Sequence, residues 1–474
     1  MMRKFYKLYL VYALNCLMVL QLSAGERSYV IPQFVSEMGQ IEILLNGTWD
    51  FKPSSKSGWT TVQVPGEVVM QGYAIEHDQP FWYRKSFTLS DSYRNKRVIL
   101  RFDGVYSHAS LTVNGKKVRE HFGGFTRWET DITSYVKIGK KNEIELEVTD
   151  RLDDISYASG YAHHPIGGIL RDVTIFALPE THIFDFYAET LLDASYENAV
   201  LKLGYSASAS EESEVRYTLL SPQGKRIELP VSVFPLRKGE NVEVVNELPV
   251  NNVLKWDAEH PNLYLLSVEV WQDGKEISCF SKKIGFREVQ IVKERMLVNG
   301  MPIKLRGACR HDMHPTLGRT TTEELDSLDA VMFKRANMNF VRTSHYPPTE
   351  RFLEYCDKLG LYVECETAVC FVDTYRQKNY KPGRSQDAAD FTHRYLSQCM
   401  EMVNSLRSHS SIIFWSIGNE SRYGENFRLS WDWIKKADPT RPVIFSWPGT
   451  VKGKDKVYDL SLIHISEPTR LALI

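Results

Sequence analysis

Two rhythms of apolar and polar residues divide the chain. From about residue 29 to 178, short period-two alternations (82–89, 98–102, 109–113 and 143–148) are broken by turn signals. These include Val113-Asn114-Gly115-Lys116 and the glycine pairs Gly123-Gly124 and Gly167-Gly168. Alternation without a helical period predicts a jelly-roll β-sandwich over residues 25–180. A second all-β stretch, 181–288, carries strands near 199–205, 214–220 and 263–272. Its length of about 100 residues suits an immunoglobulin-like sandwich.

After residue 289 strands and helices alternate. Strands are predicted at 303–310, 340–344, 361–366, 412–417 and 443–446, with a sixth at 457–460. Between them lie helices at 350–359, stopped by Gly360, at 391–407 and at 427–437. Another opens on the capping box Thr321-x-x-Glu324, with Leu325, Leu328 and Met332 on one apolar face. Repeated βα units imply a parallel sheet, either a barrel or a doubly wound fold. No glycine-rich phosphate loop follows the first strand, which disfavours a nucleotide-binding sheet. Polar residues recur at the C-terminal strand ends: Arg310-His311-Asp312, Ser344-His345-Tyr346, Glu364 with Glu366, and Asn419-Glu420. In a barrel that rim is where active sites are built.

Composition narrows the partners. The 474 residues carry 58 basic and 59 acidic side chains, a formal charge of −1, so nothing marks the chain for nucleic acid or an anionic membrane. At the N-terminus Arg3, Lys4 and Lys7 precede an apolar run ending at Leu22-Ser23-Ala24. Residues 1–24 read as a signal peptide rather than a membrane span, predicting export to the periplasm or the extracellular space. Cys16 fits lipid attachment poorly, because Asn15 precedes it and the apolar run continues beyond it. The other cysteines match no zinc spacing and read as scattered buried thiols. Homo-oligomerisation is left open.

Glycosidic cleavage needs an acid for the leaving oxygen and a carboxylate facing the oxocarbenium-like centre. Glu420 follows the apolar strand Ile412-Ile413-Phe414-Trp415, so its carboxyl is expected to be desolvated and raised toward the general-acid range. Asn419 cannot titrate and can donate to a sugar hydroxyl. These segments, Trp415-Ser416-Ile417-Gly418-Asn419-Glu420-Ser421 and Asn339-Phe340-Val341-Arg342-Thr343-Ser344-His345-Tyr346-Pro347, resemble glycoside hydrolase family 2. So do Trp82-Tyr83-Arg84-Lys85-Ser86-Phe87, Gly123-Gly124-Phe125-Thr126 and Gly167-Gly168-Ile169-Leu170-Arg171-Asp172-Val173 upstream. The resemblance implies a jelly roll, an immunoglobulin-like sandwich and a (β/α)8 TIM barrel over 289–474. It also implies an exo-acting, retaining β-glycosidase that works by double displacement on oligo- or polysaccharides, without a cofactor. Glu420 would be the acid/base and Asn419 the 2-hydroxyl partner. His311 and His345 would contact the sugar. The rest of the expected substrate-binding set is Arg342, read as organising the site by pairing with Glu364 or Glu366, Glu366 itself, and Tyr346, which either projects into the pocket or packs.

The run from Arg306 to Pro315 is similar to the β-galactosidase branch. The alternatives are a β-glucuronidase of the same family or a non-catalytic carbohydrate-binding protein. Two departures stand out. Cys370 and Val372 replace the glutamate and histidine that bind magnesium in the branch, so no metal site is expected. Ala162 replaces an acidic sugar ligand, in a loop decorated by Tyr157, Tyr161, His163 and His164. A full barrel has eight strands in about 250 residues, and the family's nucleophile lies on the seventh. The only glutamate after Glu425 is Glu467, in a turn-like segment, and the tail from about residue 461 does not resemble the family. The expectation is therefore an incomplete barrel whose nucleophile is absent from this chain.

Overall fold

The computed structural model describes residues 27–152, 155, 165–293, 295–370, 372, 384–446 and 459–461. The proposed signal segment with Cys16, the loop residues Tyr157, Tyr161, Ala162, His163 and His164, and the tail from 462 lie outside them.

In the first sandwich one sheet runs in the order Thr60–Val64, Gly47–Lys52, Pro80–Thr88, Lys141–Thr149, His108–Val113 and Lys116–Phe122. The facing sheet holds Trp128–Asp131, Arg97–Phe102, Val173–Leu178 and Glu42–Leu44. Alternate residues such as Ile144, Leu146, Leu111 and Val113 meet Leu100, Phe102 and Ile175 in one core. Fully buried Phe51 and Phe81 each contribute on the order of 1.5–3 kcal/mol. The hairpin predicted at Asn114-Gly115 forms with φ of 49° and 77°, the positive pair that a two-residue turn of this hand requires.

The second sandwich sets His182–Leu192, Ala199–Ala209 and Gly239–Val250 against a sheet built on Ser213–Leu220, Tyr264–Gln272 and Lys275–Ile284. Phe34–Val35 pairs with Lys275–Ile284, so this early strand belongs to the second sandwich rather than the first.

The third unit is a parallel sheet in sequential order: Gly307–Arg310, Phe340–Thr343, Tyr362–Glu366, Ile412–Ser416, Val443–Phe445 and Leu460–Ser461. Val341, Val363, Cys365 and Trp415 pack outward against Phe352, Tyr395, Met402 and Phe427 of the helices. Phe340, Tyr362, Phe414 and Ile444 join Trp256 and Val298 at the base. Sequential parallel strands with their helices outside form the barrel wall.

Two local expectations fail here for physical reasons. The first strand is shorter than 303–310, because Met301–Pro302 pairs with Arg295–Val298 in a small antiparallel sheet. The first helix, Glu323–Arg335, is capped by Thr322, whose hydroxyl accepts from Leu325 N, one residue later than expected. Thr321 Oγ1 instead donates to Asp326 Oδ1 at 2.8 Å. Arg310 and Thr349 hold the buried Asp326 at 2.9 and 2.6 Å. That ion-paired side turns inward, and Leu328 and Met332 stay 50% and 56% exposed.

The six cysteines from Cys279 to Cys399 are all free, and four of them are buried. No helix among the described residues is long and apolar enough to cross a membrane.

Candidate active site

Residues at i and i+2 of a strand share a face, so Tyr362–Glu366 points Glu364 and Glu366 the same way, into the barrel. Both are fully buried. Arg342, on the neighbouring strand, lies between them. Its Nε sits 3.0 Å from Glu364 Oε1, and its Nη2 donates to Glu366 Oε2 at 2.5 Å. The same Nη2 donates to Asn419 Oδ1 at 3.0 Å. Glu366 also takes His345 Nδ1 at 2.6 Å and the Ser416 hydroxyl at 2.6 Å. One guanidinium thereby ties three strand ends to a single carboxylate. The forked geometry of arginine suits it to this role.

Asn419 extends the ladder beyond its strand: its N–H donates to Val369 O at 2.9 Å, and its Nδ2 donates to Cys370 Sγ at 3.3 Å. Glu420 then takes φ of 39°, an uncommon conformation for a residue with a side chain. Its N–H is held by Ser446 Oγ at 2.8 Å, and that hydroxyl donates onward to Gly418 O. The Glu420 side chain is exposed, not enclosed as its apolar strand suggested. The burial ends at Asn419, where the chain turns out of the sheet. Glu420 nevertheless acts electrostatically on His345, and the rings of His345 and His311 meet edge-on at 5.4 Å.

Burial lowers His311 to about 4, helped by the nearby His345 and Arg319. It also lowers His345, against the pull of Glu366. Both imidazoles are neutral near pH 7. Burial raises Glu366 as well, but Arg342 and His345 outweigh it and bring the group down to about 2. Burial lifts Glu364 to about 8, with Arg342 opposing and Glu366 assisting. Neither oxygen of Glu364 makes an aligned hydrogen bond. In the folded state Glu364 keeps a proton that the unfolded chain releases above about 4.5, so its stabilising contribution is complete below that pH and lost as pH rises through about 8. Glu364→Gln is expected to flatten this loss. Denaturant midpoints from about pH 5 to about pH 9 should fall for the parent and stay level for the variant.

Two members of the expected substrate-binding set are buried and engaged with other groups of the chain. Tyr346 is 2% exposed, stacks on Phe125 of the first sandwich at 3.8 Å, and donates to Asp312 O at 3.2 Å. It is an interdomain wedge. Glu366 has both oxygens engaged and organises its neighbours instead. Ser416 and Ser446 were not expected in the site. A lone serine closing the apolar run 412–415 was the available signal for the first, and nothing marked the second.

Where the resemblance implies magnesium ligands, Cys370 faces Asn419 and Val372 is sealed in the core. A thiol and an isopropyl group do not fit a hard oxygen-seeking cation.

This rim sits on a three-part chain that matches three family descriptions in order. They are "Glycosyl hydrolases family 2, sugar binding domain" at 35–179, "Glycosyl hydrolases family 2" at 181–287 and "Glycosyl hydrolases family 2, TIM barrel domain" at 289–464. The chain belongs to glycosyl hydrolases family 2. Among family 2 relatives, the beta-galactosidase of Photobacterium profundum is 31% identical over 85% of this chain and 42% of its own length. That of Vibrio vulnificus is 32% identical over 86% and 42%. The chain thus spans less than half the length of these relatives. The Bacteroides uniformis beta-glucuronidase structure superposes with TM-score 0.75 at 25% identity, covering 89% of this chain and 54% of that one. A Ruminococcus gnavus b-glucuronidase shares the fold with TM-score 0.76 at 22% identity, over 89% and 75%.

Proposed function

We propose that the protein carrying this chain is a retaining β-glycosidase that releases terminal β-linked sugars, with β-galactosides the favoured class. The network of Arg342, Glu366, His345 and Asn419 supports this reading most directly. It fixes a neutral amide and a neutral imidazole beside a carboxylate that water and substrate can reach. Glu420 serves as the acid that protonates the leaving oxygen, then as the base that activates water. Asn419 holds the 2-hydroxyl. The bond from His345 Nδ1 to Glu366 selects the tautomer whose Nε2 lone pair accepts from a sugar hydroxyl, with His311 beside it. No residue of this chain is assigned as the nucleophile. The basic and apolar N-terminal pattern supports export from the cytoplasm.

The galactoside preference rests on the relatives named beta-galactosidase, and the Bacteroides uniformis structure keeps a β-glucuronide reading in view. A panel of aryl β-D-galactoside, glucuronide, glucoside and mannoside separates them, assayed on the protein as its gene encodes it. The expected result is preferential hydrolysis of the galactoside, with the β-anomer released first in proton NMR. Glucuronide preference would replace the sugar assignment, and release of the α-anomer would sink the retaining mechanism.

A further inference from the structure

Arg171 belongs to the first sandwich, in the segment Gly167-Gly168-Ile169-Leu170-Arg171-Asp172, yet its guanidinium ends inside the barrel rim. Its Nη2 donates to Asp312 Oδ2 at 2.9 Å and to Pro347 O at 2.6 Å. Its Nη1 donates to Phe125 O at 2.8 Å and to Pro348 O at 3.3 Å. Asp312 directly follows His311, and Pro347 lies two residues after His345. One side chain therefore grips both histidine-bearing loops. Tyr346 completes a ring: its hydroxyl donates to Asp312 O, and its ring stacks on Phe125, whose carbonyl Arg171 holds. Arg171 and Asp312 are 7% and 2% exposed, so this is a dry clamp whose charges are paired. The fold makes room for it at Gly104, where an added Cβ would lie 3.1 Å from Arg171 Cδ and 3.2 Å from Gly124 O.

We infer that Arg171 is a positioning residue of the glycosidase site: from the sandwich it sets the placement of His311 and His345, and so couples domain docking to sugar recognition. This rests on the proposed function above. The chemistry favours arginine strictly. A lysine is a single point charge and cannot span a carboxylate and three carbonyls at once. Small displacements of sugar-contacting groups can cost about 100-fold in rate.

The experiment compares Arg171→Ala, Arg171→Lys and His121→Gln in the protein as its gene encodes it. His121 bonds Glu401 at 3.0 Å across the same two domains, in a contact that includes neither histidine loop. Arg171→Ala is expected to lower kcat/KM per folded molecule by about 100-fold, with KM rising, beyond the stability it loses with a buried ion pair that Arg310 only partly replaces. Arg171→Lys recovers only part of that loss. His121→Gln lowers stability and leaves kcat/KM unchanged. A cavity of about 170 Å3 borders Arg171, Phe125, Pro347 and Pro348. Guanidinium ion below denaturing concentration can enter by it and restore much of the Arg171→Ala loss. The imidazole NMR signals of His311 and His345 should shift in Arg171→Ala and return with guanidinium. Wild-type kcat/KM in Arg171→Ala, or unmoved signals for both histidines, overturns the inference. If the parent protein hydrolyses no aryl β-glycoside, the hydrolase reading fails separately, and the histidine signals alone decide the role of Arg171.

Discussion

Glu420→Gln is expected to reduce turnover of glycosides with poor leaving groups by on the order of 1,000-fold. The amide keeps the size and most of the hydrogen bonding of the acid but cannot transfer a proton. Its backbone is independently pinned by Ser446 and by the ladder through Asn419, so the variant should fold as the parent does. The loss should depend on the leaving group. A dinitrophenolate needs no protonation to depart, so the first step should be almost unaffected for such a substrate, and the second step should become limiting because no base activates water. Added azide, which needs no base, should then accelerate turnover and give a β-glycosyl azide. Equal losses for all leaving groups, or no azide effect, would remove Glu420 from the acid/base role.

The legible and illegible parts of the chain divide along a physical line. Period-two patterns located the sandwich strands to within a few residues, since one buried face is enough to specify a strand. The helix Glu350–Leu359 kept its expected bounds because a threonine cap and a left-handed Gly360 mark both ends. Apolarity misled where polar groups were drawn inward. Asp326 rather than Leu328 faces the barrel because Arg310 and Thr349 outweigh the greasier side of the helix. Glu420 escaped burial because the chain turns at the end of an apolar strand, and a local pattern cannot show which way. For Tyr346 the sequence left a pocket role and a packing role open, and its ring stacks on Phe125, more than two hundred residues earlier. Long-range pairs such as Arg171–Asp312 leave no periodic signal at all. The strand ends carrying the chemistry were legible, and so was the pairing of Arg342 with the carboxylates of the next strand; the couplings to His345, Asn419 and the first sandwich were not.

Those couplings make Arg342 the residue whose removal should do the most structural damage. Arg342→Ala leaves Glu366 buried with a negative charge and Glu364 beside it, both fully enclosed. Removing one partner of a buried ion pair costs about 3–5 kcal/mol, because the other charge cannot return to water. The same change frees Asn419 Oδ1 and slackens the hold on Glu366 that orients His345. Sugar affinity should therefore fall with stability. The two effects can be separated by neutralising the whole cluster. Arg342→Met combined with Glu364→Gln and Glu366→Gln leaves no orphaned charge, and its denaturation midpoint should recover most of the way to the parent. Binding and turnover should stay lost, because no guanidinium holds Asn419 and no carboxylate fixes the His345 tautomer. Recovery of both would mean that the ion cluster serves only the packing of the barrel. Recovery of stability alone would show that buried charge is kept here to aim the neutral groups that meet the sugar.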